Sequence, residues 1–175
     1  MEVIIKIDDS CFSRLKKLLK SNKIEIICRE EEFNPDYAII NGIKLKRKNE
    51  NLSFCEYFTF DEAQELAKSR DLHLPTEGEW EKMIGAGSTW DDDRKGIWIG
   101  KNHFKKKETK YSTFLPAAGL RNRNNGALNS VGTNGYYWSS TVSGTVARYL
   151  SFNSGLVSVY VNSRAWGFSV RCVAE

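Results

Sequence analysis

From Ala86 to Glu175 the chain has almost no helical periodicity and is cut by turn-forming clusters: "AGSTW", "NRNNG", "GTNG", "VSG" and "FNSG". Gly, Asn and Ser at that density supply the positive φ angles and local hydrogen bonds that turns need. Half of the chain is therefore expected to be loop-rich and β-rich. Its last stretch, "GLVSVYVNSRAWGFSVRC" (155–172), reads as a strand, a turn and a second strand. Successive side chains of a strand point to opposite faces. Val157, Val159 and Val161 are expected on the buried face, and Leu156, Ser158, Tyr160 and Asn162 on the exposed one. In the strand before it, Leu150 and Phe152 are expected inward, and Tyr149, Ser151 and Asn153 outward. Phe168, Val170 and Cys172 are expected inward on the last strand.

The charge distribution separates the two halves further. Residues 1–110 are rich in both signs, whereas from Tyr111 onward there is no Lys and no Asp, only five Arg (Arg121, Arg123, Arg148, Arg164, Arg171) and Glu175. A surface built from that half must use Ser, Asn, Thr, Gly, Tyr and Trp, which is unusual for plain solubility. Antibody paratopes use the same composition, with rigid aromatic contact area beside adaptable hydrogen-bonding groups. The net charge of +4 does not point to nucleic acid. The Lys-rich "HFKKKETKY" (103–111) reads as a solvated loop rather than a phosphate-binding patch.

The first half gives local signals. "VIIKI" (3–7), a helix capped by Ser10 with Phe12, Leu15, Leu18 and Leu19 on one face, and "KIEIIC" (23–28) predict a small β-α-β element over 1–35. Asn34-Pro35 marks its boundary. Asn41-Gly42 predicts a two-residue hairpin within 37–47, and "SFCEYFTF" (53–60) an apolar strand. Thr59 with Glu62, and Thr76 with Glu79, form capping boxes, which predict helices over 60–69 and from 77 to Gly85. Trp80, Trp90, Trp98 and Trp138 are expected in the core. Arg164 and Arg171 are expected to brace turns by donating to carbonyls.

Cys11, Cys28, Cys55 and Cys172 are far apart and form no CxxC pair, so they read as buried free thiols, and with isolated His73 and His103 they offer no zinc spacing. Asp91, Asp92 and Asp93 read as an exposed acidic loop rather than a cation site. No apolar run reaches membrane-spanning length. The N-terminus is not a secretory signal, so the chain is expected to be cytoplasmic when made. No cofactor, metal or nucleophilic triad is expected.

Several separated blocks resemble a known family. "LHLPTEGEWEKMIGAGSTW" (72–90) is similar to a segment of the formylglycine-generating-enzyme-like branch of the C-type lectin fold. "FLPAAGLRNRNNGALNSVGTNGYYWSST" (114–141) and "RYLSF…NSRAWGFSVRCV" (148–173) resemble the bacterial and phage module of that fold used by variable proteins of diversity-generating retroelements. The resemblance spans roughly 40–175. It implies an α+β C-type lectin fold, with two helices packed on small antiparallel sheets, for a ligand-binding domain over 36–175 with a variable region at about 139–173. Residues 1–35 lie outside these blocks, and on that ground are expected to be an attachment or oligomerisation element with a virion or surface-assembly partner.

The resemblance further implies a receptor-recognition face built from Arg148, Tyr149, Ser151, Asn153, Gly155, Leu156, Ser158, Tyr160, Asn162 and Trp166. That face would meet a protein or surface glycan and would be varied by adenine-directed mutagenesis in a phage, prophage or cell. Tyr160 and Trp166 are its expected hot spots. Related enzymes use a pair of active-site cysteines; the second half holds only Cys172, so that chemistry is not expected. An enzyme with altered chemistry and a structural or assembly protein stand as alternatives, the latter as a homo-oligomer that buries residues 148–166.

Overall fold

The computed structural model describes residues 37–47 and 57–174. The expected elements over 1–35 and most of the strand expected over 53–60, with Cys11, Cys28 and Cys55, lie outside the described residues. The described part opens with a hairpin, β1 (Tyr37–Ile40) and β2 (Ile43–Lys46). Asn41 and Gly42 both take positive φ, 48° and 84°. That pair of left-handed residues makes the turn whose twist matches the strands it joins. The Asn41 side-chain amide also donates to the Lys82 carbonyl (2.7 Å), tying the hairpin tip to the second helix.

Both helices start where the capping boxes place them. In α1 (Phe60–Lys68) the Glu62 carboxylate accepts from the Thr59 N–H (2.8 Å), while Thr59 Oγ1 accepts from the Glu62 N–H. In α2 (Glu77–Gly85) Glu79 and Thr76 make the same exchange at 2.7 and 3.2 Å. Two orphan donors are satisfied at each N-terminus. The rest is strand: β3 (Ser88–Asp91), β4 (Gly96–Gly100), β5 (Ser112–Pro116), β6 (Leu120–Arg121), β7 (Leu128–Asn129), β8 (Gly135–Ser143), β9 (Val146–Phe152), β10 (Val157–Ser163) and β11 (Val173–Ala174). A single 3₁₀ turn, His103–Lys105, interrupts the link from β4 to β5.

The strands form four small sheets, ordered β1-β2-β11, β3-β4-β5, β10-β9-β8 and β6-β7, all antiparallel. This corrects the expected α+β C-type lectin fold. The described chain is β-rich, and its two helices are only nine residues each. The helices are real, but they do not form a layer that the sheets pack on. Each adds a few side chains (Phe60, Ala63 and Ala67 from α1, Trp80 and Met83 from α2) to cores built chiefly between strands.

The described residues form two such cores, with the β8–β9 ribbon as the partition between them. Tyr137, Leu150 and Phe152 enter one, together with Ile40, Leu45, Trp80, Met83, Ile97, Ile99, Leu115 and Val173. Trp138, Ala147 and Tyr149 enter the other, with Phe60, Ala63, Leu74, Phe168, Val170 and Cys172. The ribbon is thus covered on both faces, which strict alternation between an inner and an outer face does not anticipate.

Gly100 shows how closely these strands pack. It sits at φ 105°, and a Cβ there would be driven into the Tyr111 carbonyl oxygen. Backbone cannot yield as a side chain can, and the φ itself disfavours an L-residue. Gly100→Ala is expected to destabilise the protein by about 3 kcal/mol, the upper end for overpacking. A thermal melt unchanged from the parent would show that the strand shifts freely here.

Candidate ligand-binding face

β8, β9 and β10 place side chains in rows across the sheet. The register sets Tyr136 beside Ser151 and Ser151 beside Ser158, then Trp138 beside Tyr149 and Tyr149 beside Tyr160, then Ala147 beside Asn162. All of these share one face. The aromatic row is graded in exposure: Trp138 is 0% exposed, Tyr149 9% and Tyr160 41%. Neighbouring ring centroids along it lie 6.3 and 6.2 Å apart. Tyr136 also stands 6.0 Å from Tyr149.

The gradient has a simple cause. After β10 the chain turns back through Trp166 and lays Phe168 over the sheet, at 4.4 Å from the Trp138 ring and 4.7 Å from Tyr149. That segment covers the β8 end of the face and stops short of β10. Tyr160 is therefore an exposed ring backed by a buried one. Burial pushes the Tyr149 hydroxyl above its ordinary pKa, and Tyr136 and Tyr160 add to this against a hydrogen bond with Asn162. Tyr149 stays neutral beside Asn162, whose Oδ1 accepts from the Ser163 N–H (2.8 Å). No residue in these rows is charged.

The structure separates the residues expected to form the face. Ser151, Ser158, Tyr160 and Asn162 lie together on it, and Trp166 lies at its margin with the Arg123 guanidinium 6.0 Å from its ring. Tyr149 lies on the same face but is buried beneath Phe168 rather than outward. Arg148 lies on the opposite face, where its Nε meets the Glu77 carboxylate of α2 at 3.3 Å. Asn153, Gly155 and Leu156 belong to the β9–β10 loop. The Asn153 Oδ1 accepts from the Gly155 and Leu156 N–H groups at 2.8 and 2.9 Å, so this side chain holds the turn. Gly155 faces open space: the nearest atom to an added Cβ is Asn153 Oδ1 at 3.8 Å.

Val161 also departs from expectation. Val157 and Val159 pack against the first core, but Val161 is 45% exposed because that core ends before it. Tyr136 was not among the expected site residues, although its position two before Trp138 puts it on the same face.

Other expected groups have structural duties. Trp80, Trp98 and Trp138 are fully buried, and Trp90 is partly so. Arg164 pairs with the Asp61 carboxylate and lies 4.6 Å from the Phe60 ring, rather than bracing a turn carbonyl. Arg171 is buried with its Nε unpartnered, and among the described residues it braces no turn carbonyl either. The Cys172 thiol is 1% exposed and pushed up to about 11 by desolvation, so it is held protonated. Asp91 is buried, and its Oδ1 accepts from the Asp93 and Arg94 N–H groups. An open groove of about 460 Å³ along α1, lined by Tyr57, Phe58, Glu62, Glu65, Leu66 and Ser69, shares no residue with the sheet face.

Residues 97–173 match a family model described as a domain of unknown function (DUF8237). The match runs from β4 to the start of β11, so it contains every residue of the face. No curated protein and no solved structure matches the chain.

Proposed function

We propose that this chain is a ligand-recognition module, in which the face of β9 and β10 around Tyr160 meets a protein or a surface glycan. We further propose that positions on this face are varied by a retroelement. The observation that carries the reading is Tyr160. An exposed ring leans, tilted by 37°, against a buried, neutral tyrosine in a face of Ser, Asn and Tyr without charge. A ring held by its neighbour loses little freedom on binding, and a neutral face forms hydrogen bonds without desolvating ions. The two serines of the adjoining row belong to neither core, so their side chains can be exchanged with least disturbance. The resemblance of residues 114–141 and 148–173 to retroelement variable proteins supports the diversification.

Two measurements test this. Sequencing the locus deeply in a growing population should reveal a near-copy of the 3′ end of the gene beside a reverse transcriptase. Mismatches should fall at template adenines within codons for 149–166. A locus with neither near-copy nor variation would remove diversification from the proposal. For binding, Tyr160→Ala and Trp166→Ala should each weaken a ligand selected on the parent protein by about 2 kcal/mol, roughly 30-fold in Kd. Unfolding midpoints should stay near the parent's for Tyr160→Ala, since that ring is 41% exposed. Undiminished affinity in both variants would move the contact surface elsewhere.

A further inference from the structure

The outer edge of β10 carries unpaired backbone. The Asn153 N–H donates to the Leu156 carbonyl (2.9 Å) and closes the β9–β10 loop. With the antiparallel register fixed by Val157 opposite Phe152, the groups that bond β9 alternate from there. Ser158, Tyr160 and Asn162 turn their N–H and C=O groups to β9. Val157, Val159 and Val161 turn theirs outward. The parity agrees with β8, where the Trp138 N–H reaches Ser169 and the Ser169 N–H reaches Tyr136, so that edge of the sheet is closed. Among the described residues no backbone group pairs with the Val157, Val159 or Val161 edge.

Such an edge is unusual. Natural sheets blunt their free edges with Lys, Pro, bulges or very short strands. β10 has seven residues, no charge, no Pro and an unbroken register. Arg148, opposite Val161 in the register, and Arg164, just beyond the end of the strand, are already paired with Glu77 and Asp61.

We propose that β10 pairs antiparallel with β10 of a second copy of this chain, about a two-fold axis through Val159. The strand is complementary to itself in that register. Val159 faces the partner's Val159 and Val157 faces the partner's Val161, so the outward N–H and C=O groups of all three valines are satisfied on both chains. On one face the axis brings Val against Val, which covers the exposed Val161. On the other it brings Ser158 against the partner's Tyr160. No like charges meet. Any extended segment would satisfy the backbone, but this one also matches the side-chain rows. A two-fold perpendicular to the sheet keeps both Tyr160 faces on the same side of a six-stranded sheet, which would make the module bivalent. One strand per copy is less than a standard interface, so a concentration-dependent dimer is expected rather than an obligate one.

The test uses the full chain without ligand, so its outcome is independent of the recognition reading. Sedimentation velocity over a concentration series should show monomer giving way to dimer. Val161→Lys places a charge at a position already exposed in the monomer, and should weaken the dimer by roughly 100-fold or more in dissociation constant while leaving the melting curve near the parent's. Val159→Pro removes an N–H that the monomer does not use, and should act likewise. Should Val159→Pro fail to fold, amide exchange on the parent gives the second readout: the Val159 and Val161 amides should slow as concentration rises. A parent that stays monomeric throughout overturns the proposal. So does a dimer unaffected by Val161→Lys, or one in which those amides exchange at a concentration-independent rate.

Discussion

Replacing Trp138 with alanine should cost about 4 kcal/mol of folding stability, within the range for deleting a buried aromatic side chain. Trp138 is 0% exposed and is the hub of the second core. Its ring lies against Phe168 at 4.4 Å and meets Phe60 and Tyr149 edge-on at 5.6 and 6.3 Å. Its Nε1–H donates to the Phe58 carbonyl at 2.7 Å. The substitution therefore leaves a cavity lined from α1, β9 and the returning 166–170 segment at once, and takes one of two donors from the Phe58 carbonyl, which keeps the Phe168 N–H at 3.0 Å. A domain of this size has only about 5–15 kcal/mol in total, so about a quarter or more of it would be lost. Urea unfolding should show a lower midpoint at unchanged slope. The same substitution takes away the ring behind Tyr149, and with it the support for Tyr160, so ligand affinity should fall although residue 138 touches no solvent. A midpoint shift worth under about 1 kcal/mol would mean the site collapses around the smaller side chain.

What the sequence made legible was local. Thr59 with Glu62 and Thr76 with Glu79 set both helix starts because a capping box is closed by residues three apart. Asn41-Gly42 set its turn because only residues tolerant of positive φ suit it. Three of the four tryptophans expected inside are fully buried, since an indole is costly to leave in water.

What escaped is decided by distant packing. Alternation sorts Tyr149 from Leu150 and Tyr160 from Val161, but it does not say which face another segment will cover. Phe168 returns over Tyr149 and buries it, while the first core stops short of Val161 and leaves it 45% exposed. The resemblance puts Arg148 and Tyr149 on one face, yet adjacent strand residues face opposite ways, and Glu77 sits on the side of Arg148. The fold class failed for a related reason. Two well-capped helices predict helices, but whether they form a layer depends on the strands around them. Here β8 and β9 divide two strand-built cores, and each helix fills only a corner.

Removing the Asp91 carboxylate should be the second large loss, about 3 kcal/mol for Asp91→Ala. Asp91 is 5% exposed at the end of β3. Its Oδ2 accepts from the Trp98 Nε1–H at 2.8 Å, and its Oδ1 from the Asp93 and Arg94 N–H groups at 3.1 and 3.2 Å. Alanine would leave the indole N–H of a tryptophan only 1% exposed without its acceptor, and would release the turn into β4. The Trp98 hydrogen bond chiefly holds the Asp91 carboxyl below its ordinary pKa. The backbone donors and the Lys106 charge help, and they outweigh the desolvation that opposes them.

The sign of the pH dependence follows from that direction. The unfolded group titrates at about 3.9. Above that pH the carboxylate's contribution is fully present, and it is lost as pH falls through the lower folded value. Asp91→Asn keeps an acceptor for Trp98 but cannot titrate, so it should be less stable than the parent at neutral pH and should lose less stability below about pH 4. Unfolding midpoints of parent and variant should therefore converge on acidification. Parallel curves down to the acid limit would assign the acid sensitivity to another carboxylate, with Glu62 and Glu79 the next to examine, since their cap hydrogen bonds also hold them below the ordinary range.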